Sequence, residues 1–207
     1  MQLISLNLGQ AEKIENAKPG GKTGIFKRPV LTPVRITPTG LEGDTICDTK
    51  NHGGPDQAVY IYGVADYRWW SAELGQEVQP GAFGENLTIS ELESACFSIG
   101  DRLQVGAVIL EVTAPRLPCM TLATRMDDPD FIKRYRDAER PGLYCRVIQE
   151  GFVQAGDPVS VEAYPAETVT ILKMFRDYYE PDRSGPLCAA TWPHRWRFAP
   201  AATKKNS

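Results

Sequence analysis

Glycine and proline interrupt this chain so often that no apolar run can continue far as one element. With 18 Gly and 16 Pro among 207 residues, corners fall every few positions, a spacing that suits short strands joined by turns. Between corners the side chains alternate. The opening QLISLNLG reads as a strand, and Ile25, Phe26, Val30, Val34 and Ile36 mark short strands that bend or end at prolines. Three further β segments are predicted over 86–89, 101–105 and 107–112, with Gly106 making the tight connection between the last two. Closing strands are predicted around Tyr144, Arg146 and Ile148, then at Val153, then at Val159 and Val161. Helical spacing is confined to GVADYRWWSAELG with Gly75 as its stop, to DDPDFIKRYRDAER with Asp127 or Asp128 as N-cap before Pro129, and to 167–179. Many short strands avoid exposed edges by closing on themselves. The expected fold is therefore mainly β, a closed or nearly closed β-barrel with a few peripheral helices.

Charge and cysteine usage remove several classes of function. A formal net charge of −3 creates no field that would gather nucleic acid or an anionic membrane. The first residues lack a basic and then apolar leader, and no apolar run reaches membrane-spanning length, so a cytoplasmic protein is expected. The five cysteines, Cys47, Cys96, Cys119, Cys145 and Cys188, are scattered and nowhere form C-x-x-C, which argues for reduced thiols over a disulfide framework. Cys47 and His52 have a metal-compatible spacing but lack a second close pair for zinc.

Among those thiols Cys119 stands apart. In Pro115-Arg116-Leu117-Pro118-Cys119 two prolines restrict the backbone, and a cation three residues away favours the thiolate, the form that attacks electrophiles or binds a soft metal. His52-Gly53-Gly54-Pro55-Asp56 supplies an imidazole, close-approach glycines and a carboxylate, and Glu85-Asn86 adds a carboxylate and an amide beside glycines. The other reading of each is an ordinary turn. Lys22, Lys27, Arg28, Arg116 and Arg146 lie in or beside strands and turns, where some would form a phosphate or carboxylate clamp and others are solvated charges. Tyr60, Tyr62, Trp69 and Trp70 are read as core or core-edge aromatics without chemistry.

In this order GKTGIFKRPV, GLEGD, HGGPDQAVYIY, GAFGENLTI, IGDRLQVG, PRLPCMTL and GLYCRV resemble the MOSC family and, within it, the YiiM-like group. The likeness runs from about Met1 to Val161. It implies a domain over 1–163 of the pyruvate-kinase β-barrel type, followed at 164–207 by a short helical extension, a reduced form of a three-helix module. It also implies a molybdenum cofactor, a metal bound to a pterin, ligated by the Cys119 sulfur, and a reaction that removes oxygen from N-hydroxylated compounds. Proton donors would be His52, Glu85 or Asp56, while Lys22, Lys27, Asn86, Arg116 and Arg146 would hold the cofactor or substrate. Electrons would come from a separate reductase, because the chain has neither a Rossmann fingerprint nor an iron–sulfur cysteine cluster. The resemblance is also compatible with a homodimer. The competing reading is a sulfur carrier, with a persulfide on Cys119 received from a pyridoxal-phosphate-dependent desulfurase. A cysteine hydrolase with His52 as base and a binding module without catalysis complete the alternatives.

Overall fold

Alternation along short segments becomes a series of short strands in the computed structural model, which describes residues 1–15 and 21–180. The first six are β1 (Leu3–Leu8), β2 (Glu12–Lys13), β3 (Lys22–Thr23), β4 (Arg28–Pro29), β5 (Val34–Thr37) and β6 (Gly40–Leu41). They are followed by β7 (Val59–Gly63), β8 (Leu87–Ile89), β9 (Arg102–Val105), β10 (Val108–Ala114), β11 (Leu143–Gln149), β12 (Gly151–Val153) and β13 (Val159–Glu162). The helices are α1 (Val64–Leu74), α2 (Met120–Arg125), α3 (Phe131–Ala138) and α4 (Ile171–Tyr179). Eight strands form one mixed sheet in the order β13-β9-β10-β11-β7-β8-β1-β4, in which β7 and β8 run parallel and the other pairs antiparallel. Strands β12, β5 and β6 make a second sheet, and β2 with β3 a small ribbon.

The sheet is open, which corrects the expected barrel. Its edges are β13 and β4, and among the described residues no ladder joins them. An isolated bridge between Gln2 and Pro158 brings the start of β1 toward β13, supported by bonds from the Leu3 N–H to the Asp157 carbonyl and from the Val159 N–H to the Met1 carbonyl, each 2.9 Å. Pairing stops there for a local reason. Pro29 forms half of β4 and Pro158 immediately precedes β13, and a proline has no N–H to extend a ladder.

Strand β7 shows how the sheet serves two cores. Every residue of it is buried, but its side chains alternate in destination. Val59 and Ile61 join an aliphatic core with Leu3, Leu6, Leu103 and Leu110, while Tyr60 and Tyr62 face an aromatic one with Trp70, Phe83, Phe131 and Tyr135. Period-two alternation thus divides one strand between two apolar layers. Helix α1 closes the aromatic layer by inserting Trp70, fully buried, whose indole N–H donates to the Tyr62 hydroxyl at 2.8 Å. Trp69 lies half-buried beside it, so the core reading holds for this group, with the qualification for Tyr60 given below.

Expected punctuation recurs with two shifts. Gly75 follows α1 in the left-handed conformation, and Gly106 turns β9 into β10. Helix α3 starts at Phe131, with Asp130 at the cap position in place of Asp127 or Asp128. Asp127 has a positive φ of 50°, and the Asp128 carboxylate instead accepts from the Asp130 N–H and from Arg134. Helix α4 starts at Ile171, later than expected, because the preceding backbone is already paired: the Ile99 N–H donates to the Val169 carbonyl, and Ser98 bridges Thr170. The Thr170 hydroxyl caps α4 by accepting from the Lys173 N–H at 3.1 Å. Cys188, His194 and the remainder of the C-terminal extension lie outside the described residues.

Candidate functional site

The prolines around Arg116 determine where its neighbours point. After β10 ends at Ala114, Pro115 and Pro118 prevent a helix from starting, so the chain stays extended until Cys119, whose φ of −134° and ψ of 166° place it at the cap position of α2. Arg116 is thereby turned inward, 5% exposed, and its Nη1 donates to the Phe83 carbonyl. Its guanidinium also lies 4.9 Å from the centre of the Tyr60 ring, a cation–π contact in a desolvated setting. Gly84 makes this seat possible. Its φ is +75°, and a side chain there would press on Ile25 and on the Arg116 guanidinium.

Cys119 borders a cavity of about 480 Å³. The opposite wall comes from the loop that carries His52, whose N–H donates to the Asp48 carbonyl at 2.9 Å, and from the 3₁₀ turn Pro55–Gln57. Burial pushes the Cys119 thiol up, but the hydrogen bond with His52, the charge of Arg116 and the Leu122 N–H outweigh it, lowering the pKa from 9.0 to about 6. At neutral pH this sulfur is a thiolate.

A third wall is a satisfied polar network. Buried Lys27 pairs with Asp44; desolvation pulls its ammonium down and the Asp44 charge opposes that pull. Asp44 also accepts from the Gly9 N–H at 2.8 Å and from the Asn86 amide at 2.9 Å, and Asn86 in turn accepts from the Tyr60 N–H at 3.2 Å. The network fixes Lys27 and Asn86 at the cavity edge.

Of the residues singled out from sequence, Cys119, His52, Lys22, Lys27, Asn86 and Arg116 line this one cavity. Three do not. Asp56 turns outward and pairs with Arg146 at 2.9 Å, with Arg146 also 3.7 Å from Glu111, an arrangement of half-exposed side chains on the surface. Glu85 is fully buried away from the cavity. Its Oε1 accepts from the Tyr67 hydroxyl and the Gly81 N–H, each at 2.6 Å, and from the Thr88 hydroxyl at 2.7 Å. Burial raises its carboxyl pKa against these donors. Glu85 is a positioning residue: it anchors the 81–84 turn whose Phe83 carbonyl holds Arg116, and whose Gly81 and Ala82 carbonyls accept from Arg125.

Sequence reasoning missed Asp44, Gln57, Tyr144, Lys50 and Cys47 as cavity residues, and assigned Tyr60 to the core alone. Asp44 and Gln57 do fall inside the motifs GLEGD and HGGPDQAVYIY, the one signal that could have found them. Among the described residues no three His, Cys, Asp or Glu side chains are grouped to hold a metal ion. No helix among them is long and apolar enough to cross a membrane.

An open mixed sheet with a thiolate at the cap of a short helix and a basic, polar cavity before it agrees with a family match: the MOSC domain model covers residues 48–160, and the chain belongs to that family. Its relatives include the YiiM proteins. The crystal structure of YiiM from Geobacillus stearothermophilus superposes with a TM-score of 0.73 at 28% identity, covering 95% of each chain. The uncharacterized protein YflK of Bacillus subtilis is 36% identical over 154 residues, 74% of this chain and 70% of YflK. A Gibberella moniliformis protein named a reductase is 33% identical over 173 residues, 81% of this chain but 31% of that longer protein.

Proposed function

We propose that this protein is a molybdenum-cofactor-dependent reductase of N-hydroxylated compounds, with Cys119 as the protein ligand to the metal. The observation that carries the reading is a single thiolate facing a cavity of about 480 Å³ with His52 and Arg116 beside it. A soft ligand that belongs to no group of three metal-ligating side chains among the described residues suits a metal that arrives with most of its ligands already supplied by a pterin. The cavity fits such a group in two further respects. Lys22 and Lys50 add positive charge for an anionic part, and Arg116 Nε is buried without a partner in the protein. The match to a reductase over most of this chain supports the reaction class.

When bound, the cofactor supplies the two electrons that convert an N–OH group and two protons to N–H and water. The chain's own residues do the rest. Cys119 Sγ anchors the group, and the His52 contact and Arg116 charge keep it ionised for that purpose. Among the described residues His52 is the one imidazole on the cavity, and its ring nitrogen is the group that delivers a proton to the departing oxygen. Asp44 and Asn86 orient Lys27 and keep the polar wall in place. A separate electron-donating reductase completes the cycle.

Protein purified from a host that makes the cofactor tests this. Elemental analysis is expected to find about one molybdenum per chain, with reduction of an N-hydroxylamine by an artificial electron donor, and Cys119→Ala is expected to lose both. Wild-type protein without molybdenum that carries a persulfide on Cys119 and releases it as sulfide on thiol treatment would replace this reading with the sulfur carrier.

A further inference from the structure

A second thiol borders the cavity before Cys119. Cys47 lines it together with His52, on the loop that forms the wall opposite Cys119. Of the other cysteines among the described residues, Cys145 is sealed in the aliphatic core and Cys96 does not border the cavity. Cys47 is exposed and belongs to neither apolar core, so packing gives no reason for a thiol at this position. The loop itself turns Cys47 toward Cys119. Its two ends meet, since a side chain built at Gly53 would lie 2.9 Å from that of Ile46. Its tip is closed by the His52 N–H, which donates to the Asp48 carbonyl at 2.9 Å, and by the Asn51 amide, which donates to the Asp48 carboxylate at 3.1 Å. Between these two ties Cys47 stands opposite His52 in the neck of the loop, and the His52 side chain hydrogen-bonds the Cys119 sulfur. Cys47 is thus one step across the loop from the group that touches Cys119.

Two thiols on one cavity can do what neither does alone. A reactive sulfur that meets a hydroperoxide is oxidised to a sulfenic acid, and a second thiol within reach converts that product to a disulfide before it is oxidised further. We propose that Cys47 and Cys119 form a redox pair, in which a hydroperoxide oxidises Cys119 and Cys47 resolves the product as an intramolecular disulfide across the cavity. In the first step the Cys119 sulfur gives up two electrons. Its S–O bond forms as the O–O bond breaks, and the departing oxygen takes the thiol proton to leave as water or an alcohol. In the second step the Cys47 sulfur attacks that of Cys119. The S–S bond forms, the S–O bond breaks, and the hydroxyl leaves with the Cys47 proton as water. A dithiol reductant returns both thiols by exchange. The disulfide withdraws the Cys119 sulfur from any other use and shields it from irreversible oxidation. The pair goes beyond the reductase reading and stands on the two thiols, whatever Cys119 ligates.

The full chain is purified from a host that lacks the cofactor and from one that makes it, with molybdenum measured on both samples. Wild type, Cys47→Ser and Cys96→Ser are treated with equimolar hydrogen peroxide, the remaining thiols are blocked, and oxidised cysteines are mapped by mass spectrometry. Metal-free wild type is expected to lose two of its five thiols to a Cys47–Cys119 disulfide that dithiothreitol reverses, and Cys96→Ser to behave alike. In Cys47→Ser the disulfide is expected to vanish. Cys119 is then trapped by dimedone as a sulfenic acid, and without dimedone it passes to sulfinic acid several-fold faster than in wild type. A disulfide from Cys119 to any other cysteine would overturn the proposal, as would equal sulfinic acid in wild type and Cys47→Ser with no linkage in either. The molybdenum-loaded sample is expected to resist peroxide, its Cys119 sulfur being occupied. Equal linkage in loaded and metal-free protein would count against Cys119 as the metal ligand and leave the redox pair standing.

Discussion

Two thiols of the same chain, Cys119 and Cys145, experience opposite environments. Cys145 lies on β11, fully buried in the aliphatic core, where burial and the Glu111 charge push its pKa up. Cys119 is also largely enclosed, and burial pushes it up too, but it faces His52, Arg116 and an amide N–H, and its pKa falls to about 6. Burial is common to both, so burial does not decide reactivity. What decides it is whether the enclosure contains donors and positive charge, and here that depends on elements far apart in the chain. His52 comes from the loop before β7, Arg116 from the proline run after β10, and Arg116 is seated by a turn that Glu85 anchors.

The largest expected effect comes from breaking that anchor. Glu85→Ala removes the acceptor for three buried donors and frees the turn beneath Arg116, costing about 2–4 kcal/mol of stability in chemical denaturation. It should also raise the Cys119 pKa while Cys145 stays unreactive. Glu85→Gln keeps an acceptor oxygen and is expected to recover most of the loss. An unchanged Cys119 in a folded Glu85→Ala protein would show that Arg116 needs no such support.

A smaller effect separates the two sulfurs by pH. Because the folded Cys119 pKa lies below its ordinary value of 9.0, at about 6, ionisation favours the folded state. That contribution is full above about pH 9, declines as pH falls, and is gone below about pH 6. The stability deficit of Cys119→Ser relative to wild type should therefore be greater at pH 9 than at pH 6. Cys145→Ala should instead cost about 1–2 kcal/mol equally at both, the loss of a small buried side chain. A parallel pH trend in the two variants would erase the distinction. Smallest of all, Asp56→Asn and Arg146→Met break a half-exposed ion pair and should cost less than about 1 kcal/mol, with neither thiol altered. A marked fall in reductase turnover in either variant would return these two residues to the site.

Much of this comparison was legible in the one-letter string, and the exceptions share a cause. Strand β9 and most of β10 follow local alternation, and Gly75 and Gly106 mark real corners, because those signals are carried by neighbouring residues. Helix α2 was missed since six residues are too few to show helical periodicity. Openness of the sheet was missed because it depends on which strand edges meet, and Pro29 and Pro158 lie 129 positions apart. The site divides the same way. Cys119 with Arg116 is a local pattern of proline and charge. Asp56 was singled out and its neighbour Gln57 was not, yet the 3₁₀ turn sends Asp56 to the surface and Gln57 into the cavity. Glu85 and Asn86 are adjacent too, just before β8, and the first is buried behind the site while the second lies on it.

Alkylation of the native protein by iodoacetamide between pH 5 and 10, mapped cysteine by cysteine by mass spectrometry, tests the ionised Cys119 most directly. Exposed Cys47 and Cys96 provide internal references in the same sample. The expected result is a Cys119 rate that rises to half its plateau near pH 6, with Cys145 unlabelled throughout. A Cys119 rate that rises only near pH 9 would contradict it.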